Sequence, residues 1–321
     1  SDMYDLIGDI HGHATELEQL LEKLGYEKEE KGCYSHPQGR QAIFLGDFID
    51  RGPEIRQVLE IVRSMIDSGE AEAVMGNHEF NALVYHTEDP GRPDEYLRTH
   101  SEKNTGQHQA TIDQLGEEIS ESIEWFRSLP LWLELEDGSG SPLRVAHAAW
   151  DDQQTELISD RLKKHDGVTT DFLAEASQEG SRLYKAVECV LKGPELRLPN
   201  GNFITDKDGN DRREIRIQWY REPGYEEETY SQYALPPLRS DSEKITRRDY
   251  KKKARSCLPY PEDAPPVFIG HYWLRGEPGL LAPNIACVDY SIARGGSLCA
   301  YRWDGEQKLD IGKIESVPAH A

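Results

Sequence analysis

The sequence predicts an α/β fold in which strands alternate with helices and a β-rich end closes the core. Three observations carry this. Short apolar runs lead repeatedly into segments with apolar residues at helical spacing, the tail holds short runs separated by turn residues, and several apolar runs end in polar clusters that no turn requires.

"YDLIGD" reads as the first strand, and "ATELEQLLEKLGY" after it as a helix with Leu17, Leu20, Leu21 and Leu24 on one face and Gly25 as the stop. "QAIFLGD" repeats the strand signal. It leads into "PEIRQVLEIVRSMIDSG", where Pro53 stands at a first-turn position, Ile55, Val58, Leu59, Val62 and Ile66 recur at helical spacing, and Gly69 ends the run. "AEAVMGNHE" is a third strand running into a polar cluster, and "LRVAHAAW" and "VFIGHYW" are later strands of the same design. The tail segments "IACVDYS", "SLCAYRWDG" and "KLDIGKIE" read as antiparallel β. Between His147 and His271 the pattern dissolves into polar and charged sequence with turn signals in "LPNGNF" and "DKDGNDRRE". Residues 151–266 are therefore read as an insertion or cap within a single domain spanning 1–321.

A chain of 321 residues can bury a sizeable core. Apolar residues make up 37 % and charged residues 30 %, and no stretch approaches the roughly eighteen apolar residues of a membrane helix, so a membrane span is not expected. Met3 leads straight into a strand with no signal peptide ahead of it, which makes the cytoplasm the expected location. Cys33, Cys189, Cys257, Cys287 and Cys299 are odd in number and lack CxxC spacing, so they read as reduced thiols. A net charge of −22 would repel a polyanion over most of the surface, which argues against duplex nucleic acid as a partner. One segment departs from that balance. "KITRRDYKKKAR", from Lys244 to Arg255, is strongly basic, and it is either a solvated face or a local anion-docking patch.

The polar clusters carry the chemistry. Asp9 and His11 in "GDIHG", Asp47 in "GDFIDRG", Asn77 and His78 in "GNHE", His147 in "VAHAAW" and His271 in "IGHYW" each follow a short apolar run. In open α/β sheets the strand ends meet at one crevice, so these side chains are expected to converge as a metal site. Carboxylate, amide oxygen and imidazole without cysteine suit Mn, Fe or Zn in a catalytic role. Asp47 is the natural bridge between two cations about 3.5–4 Å apart. Excess positive charge there implies an anionic substrate. One such strand end alone would be an ordinary turn or a core histidine; five in one chain are not. His13, His36, His86, His100, His108 and His165 lie in helical or polar-loop context and read as surface or supporting residues.

Taken together, "GDIHG", "GDFIDRG", "GNHE", a histidine after an apolar strand and a final "GH" resemble the motifs of the calcineurin-like metallophosphoesterases, in the branch of phosphoprotein phosphatases and bacterial diadenosine-tetraphosphatase-like enzymes. The most specific motifs lie in roughly the first eighty residues. The resemblance implies a central β-sandwich flanked by helices, with a dinuclear site at one edge. Carried over position by position, Asp9, His11 and Asp47 hold one metal, and Asp47, Asn77, His147 and His271 the other, with manganese expected and iron or zinc as alternatives. His78 becomes the general acid, oriented by Asp50, and Arg51 the phosphate clamp. Substrate contacts fall to Arg51, Asn77, Arg221, with Arg213 and Arg216 as its rivals, and Trp150, which either stacks on an aromatic ring of the substrate or packs in the core.

The resemblance further implies hydrolysis by direct attack of a metal-bridging hydroxide on phosphorus. "GHYW" departs from the usual motif and carries no second histidine, which favours phosphomonoesters or pyrophosphates over nuclease work. A phosphoprotein or small phosphorylated molecule is the first substrate class, and a dinucleoside polyphosphate the alternative. A catalytically silent binding module on the same fold is the reading of another class, against which the full set of ligands speaks.

Overall fold

The computed structural model describes residues 3–206, 209–253 and 259–320. Arg255, Cys257 and the side chain of Lys253 lie outside the described residues.

In the strand Tyr4–Ile7, successive side chains point to opposite faces. Tyr4 and Leu6 enter one apolar layer and Ile7 another. Asp5 is buried too, and its charge is matched by Arg40, Arg302 and the Tyr26 hydroxyl. Gln41–Phe44 pairs parallel to this strand, and Ala71–Ala73 parallel to Gln41–Phe44. Ser297–Trp303 pairs antiparallel on the other side, and Asp289–Tyr290 and Ile314–Pro318 complete a six-stranded sheet. A second, four-stranded sheet runs in the order Ile285–Cys287, Val267–Ile269, Pro142–Ala146, Trp132–Glu136.

The two sheets close on each other through one apolar layer. Leu6, Ile43, Leu45 and Val74 from the first sheet meet Leu143, Val145, Phe268 and Ala286 from the second. The outer faces are covered by helices. Of these, α1 (Ala14–Lys23) and α2 (Ile55–Asp67) bring Leu17, Leu20, Leu21, Val58 and Val62 into the cluster that holds Ile7 and Phe44. Helices α3 (Asn77–Tyr85), α4 (Glu102–Leu115) and α5 (Ile119–Phe126) follow the third strand.

Two sequence expectations are corrected. Ile285–Cys287 is not antiparallel: it runs parallel to Val267–Ile269, because the loop between them carries the chain back to the starting end before it re-enters the sheet. The first part of the 151–266 segment is helical, as α6 (Asp152–His165), α7 (Thr170–Ala176) and α8 (Arg182–Lys192). Asp151, Thr169 and Ser181 cap these helices with side-chain oxygens that accept from first-turn amides. Ile158, Phe172, Leu173, Val187 and Val190 join the main core. The later part gathers a small cluster of its own around Leu196, Ile215, Ile217, Tyr230, Tyr233 and Tyr250.

Among the described residues no helix is long and apolar enough to cross a membrane. Cys33, Cys189, Cys287 and Cys299 are buried.

Candidate metal centre

Tyr4–Ile7, Gln41–Phe44 and Ala71–Ala73 run the same way in the first sheet, as Pro142–Ala146 and Val267–Ile269 do in the second. Their C-terminal loops gather Asp9, His11, Asp47, Asn77, His78, His147 and His271 at one edge of the sandwich. The backbone there is unusual. His11, Asp47, Asp50, Arg51, His271 and Trp273 all have positive φ, between 44° and 75°, a region that costs a non-glycine residue about 1–3 kcal/mol and concentrates at functional sites. Glycine permits the close approach: a Cβ on Gly76 would run into Oδ1 of Asp47, and one on Gly270 into Oδ1 of Asp9.

Hydrogen bonds fix the imidazole tautomers. Nδ1 of His11 lies 2.9 Å from the Ile49 carbonyl, and Nδ1 of His147 lies 2.6 Å from the Leu45 carbonyl. A carbonyl only accepts, so each Nδ1 carries the proton and a neutral ring presents a lone pair on Nε2. Both Nε2 atoms face Oδ2 of Asp47, at 3.5 Å from His11 and 3.2 Å from His147. Oδ1 of Asn77 lies 3.0 Å from Nε2 of His147 and 3.2 Å from Nδ1 of His271. Nε2 of His11 is buried without a hydrogen-bond partner among the described residues.

Lone pairs of imidazole, amide and carboxylate converging in a buried space repel one another unless protons or cations stand between them. The donor set therefore fits divalent ions. Ligand atoms of Asp47, His147 and His271, and those of His11, Asp47 and His78, lie within 4.8 Å of one another in their two groups, with Asp47 common to both. Asp9 stands beside them, 3.9 Å from Nε2 of His147, and accepts from the His271 amide.

His78 falls in the group with His11 and Asp47, yet its Nδ1 is already 2.6 Å from Oδ2 of Asp50, which leaves only Nε2 for other work. Burial lowers the affinity of His78 for its proton, but the charges of Asp47 and Asp50 outweigh it and lift the pKa to about 9. Burial and the nearby His78 hold His11 down, at about 4, while burial raises Asp9 together with the charges of Asp289 and Asp47.

The sequence reading missed three supporting residues, Thr111, Glu79 and Asp289, and left His108 as either a surface or a supporting residue. Oδ1 of Asp50 accepts from the Thr111 hydroxyl at 2.6 Å and from Nδ1 of His108 at 2.8 Å. Both come from α4, three residues apart on one buried face, so the only sequence signal was their spacing on a helix that had not been recognised. Glu79 accepts from the amides of Asp47, Phe48 and Gly76 at 2.7–3.0 Å and so pins the bridging loop to the start of α3. Asp289, buried beside Asp9, accepts from the Trp273 amide at 2.8 Å. The site is thus more acidic than Asp9 and Asp47 alone would make it.

The substrate-side expectations divide. Arg51 is exposed and lines two cavities. One, of about 170 Å³, also meets Asn77, His78 and Arg98. The other, of about 1100 Å³, meets His271, Trp273 and Arg216. Arg221 is elsewhere: its guanidinium is held by both carboxylate oxygens of Glu228, at 2.6 and 2.9 Å, and it lines neither cavity. Arg216, its rival, takes the position beside the site. Arg213 points away and donates to the Gly201 carbonyl. Trp150 is 3 % exposed, packs in the main core and donates its indole N–H to Asp152, so it offers no face to a ligand. The aromatic ring at the rim is Trp273, whose ring centroid is 5.5 Å from that of His11. The described residues of the basic run line neither cavity either; Arg247–Lys253 is a short helix, with Arg247 over the Tyr225 ring.

A β-sandwich whose parallel strand ends draw imidazole, amide and carboxylate ligands around one shared aspartate is a metallophosphoesterase fold. The chain belongs to the calcineurin-like phosphoesterase family, whose model matches residues 4–197. Among curated relatives, a bis(5'-nucleosyl)-tetraphosphatase PrpE [asymmetrical] of Halalkalibacterium halodurans is 47 % identical over 75 residues, 23 % of this chain and 30 % of that protein. The protein of the same name from Bacillus subtilis is 33 % identical over 150 residues, 45 % of this chain and 57 % of its own length. The chain thus spans less than two thirds of the length of these relatives. A protein serine/threonine phosphatase structure from Saccharomyces cerevisiae, with similarity to human phosphatase PP5, is 14 % identical at a TM-score of 0.46, over 99 % of this chain and 80 % of that one.

Proposed function

We propose that this chain is a metal-dependent phosphoric ester hydrolase whose preferred substrates are organic polyphosphates of the dinucleoside polyphosphate class. The observation that carries it is the convergence of His11, His147, His271 and Asn77 on Asp47, beside cavities walled by Arg51. Asp9, His11 and Asp47 would hold one ion, and Asp47, Asn77, His147 and His271 the other. Two such ions would lower the pKa of a water and draw charge off the phosphoryl oxygens.

The rest belongs to the chain itself. His78 keeps its Nδ1 proton on Asp50, which favours the charged ring, and so leaves Nε2 to carry a proton to the leaving oxygen. The exposed Arg51 presents a planar fork to the non-bridging oxygens. Arg98 and Arg216 stand on its two sides.

The order of substrates is the reverse of the one the sequence suggested. The larger cavity exceeds what a phosphomonoester fills, and the names of the curated relatives specify nucleosyl tetraphosphates. The test is a panel of aryl phosphate, phosphopeptide and diadenosine tetraphosphate, offered to protein stripped by chelator and reloaded with Mn²⁺. We expect no turnover without metal and the highest kcat/KM for diadenosine tetraphosphate. Full activity in verified metal-free protein would sink the hydrolase reading, and a higher kcat/KM for phosphopeptide would sink the substrate class.

A further inference from the structure

We propose that Arg275, in the loop that carries Trp273, and Arg294, in the turn after Asp289–Tyr290, form a second anion subsite that binds phosphate groups beyond the one being cleaved. The inference rests on the hydrolase reading above and deepens it, by locating what selects a polyphosphate over a monophosphate.

The cavity of about 1100 Å³ is walled by Arg51, Arg216, Arg239, Arg275 and Arg294, against which only Asp206 and Glu277 contribute negative charge. Asp206 is occupied by Arg212 at 2.9 Å. On a chain with 59 acidic and 37 basic residues, so many arginines on one wall are not an average of the surface. Arg216 is neutralised by Glu195, at 2.9 Å, but among the described residues Arg51, Arg239, Arg275 and Arg294 have no carboxylate partner. Arg275 and Arg294 also share the wall of an adjoining cavity of about 220 Å³, so the two guanidinium groups serve one region. Like charges gathered without a counter-charge form a site for an anion with several negative groups.

Trp273 connects this region to the chemistry. The Arg294 guanidinium carbon is 4.9 Å from its ring centroid and that of Arg51 is 5.6 Å away, so one indole carries the phosphate clamp of the site and a cation of the subsite. Its backbone holds φ at +53°, uncommon for a bulky residue, and is anchored by the Asp289 carboxylate beside Asp9. An anion that spans Arg51 and Arg294 would lie across this ring. The apolar part of the same wall, with Pro236, Leu238 and Leu280, suits the organic group attached to the phosphates.

The test measures binding to metal-free protein, with inorganic tripolyphosphate and orthophosphate as probes and tryptophan fluorescence as the signal. Tripolyphosphate is expected to bind at least about tenfold more tightly than orthophosphate, and the double variant Arg275→Ala/Arg294→Ala to lose most of that ratio. Trp273→Phe should remove the fluorescence change while competition shows tripolyphosphate still bound. Arg275→Lys/Arg294→Lys, which keeps the charge without the fork, should fall between wild type and the alanine pair. Both arginines are exposed, so folding is not at stake. An unaltered ratio in the alanine pair overturns the subsite, even if the protein hydrolyses diadenosine tetraphosphate. An inactive protein that discriminates the two anions, and loses that ability in the alanine pair, upholds the subsite and sinks the hydrolase reading instead.

Discussion

At the scale of the residue, Asp50 is the junction on which the proton chemistry turns. One oxygen receives His78 and the other receives His108 and Thr111, so the carboxylate cannot rotate away from the histidine it orients. Its own pKa is governed first by burial, which raises it, but the bonds from His108 and His78 win and hold it well below the usual carboxylate range. It stays ionised at any working pH. Removing His78 as His78→Asn should leave metal content intact and cost on the order of 10²–10⁴ in kcat for a substrate with a poor leaving group, and far less for nitrophenyl phosphate. Loss of both ions in that variant would show that a ligand had been mistaken for the acid. Thr111→Val or His108→Gln should give the same leaving-group signature at about 10–100-fold, since each holds the Asp50 oxygen turned away from His78. An equal loss on nitrophenyl phosphate would mean a structural defect instead. Asp50 and His78 were legible in the sequence because each stands within a motif; the role of His108 was not, because it depends on how α4 packs across the loop.

Elements show where pattern reading succeeds and where it stops. The strands ending in Ile7, Phe44 and Ala73, and helices α1 and α2, were legible because a face buried against a sheet enforces periodicity. Helix α8 was legible in principle, with Leu183, Ala186, Val187, Val190 and Leu191 at helical spacing, but it was lost within a segment whose average is polar. The direction of Ile285–Cys287 was not legible, since strand pairing is set by where a loop returns and leaves no trace in alternation. Arg239, Arg275 and Arg294 of the large cavity escaped for a related reason, as they share no spacing with one another or with Arg51 and Arg216. The basic helix Arg247–Lys253 drew the eye instead. It packs through Tyr250 and Arg247 onto the small cluster of the inserted segment, and Arg248, Lys251 and Lys252 are exposed. Replacing those three with serine should leave KM for diadenosine tetraphosphate within about twofold, even at low ionic strength where surface charge acts furthest. A steep rise in KM at low salt would restore the docking role.

The whole molecule couples its fold to its ions. Asp9, Asp47, Glu79 and Asp289 are all buried at one edge of the sandwich; burial and mutual repulsion disfavour the charged forms of Asp9, Glu79 and Asp289, whereas His147 and His78 outweigh burial at Asp47 and hold it well below the usual carboxylate range. Burial, with the charge of Asp47 behind it, lifts Glu79 from 4.5 to about 7 in the metal-free chain. The folded state therefore keeps that proton where the unfolded chain has lost it, and the stability this contributes is present below pH 4.5 and disappears as pH rises to about 7. Asp9 and Asp289 are raised in the same direction. Bound ions reverse the trend by supplying the missing positive charge. At a hundredfold excess over Kd, a single ion stabilises the fold by about 2.7 kcal/mol. Chelation should thus lower Tm by several degrees near pH 8, Mn²⁺ should restore it, and the difference should shrink toward pH 5, where protons do part of the same work. Asp47→Asn, which removes the shared ligand, should abolish the Mn²⁺ response, while His78→Asn should keep it. A Tm indifferent to chelator at pH 8, or a Mn²⁺ response that survives in Asp47→Asn, would disprove the shared-aspartate centre independently of any assay of turnover.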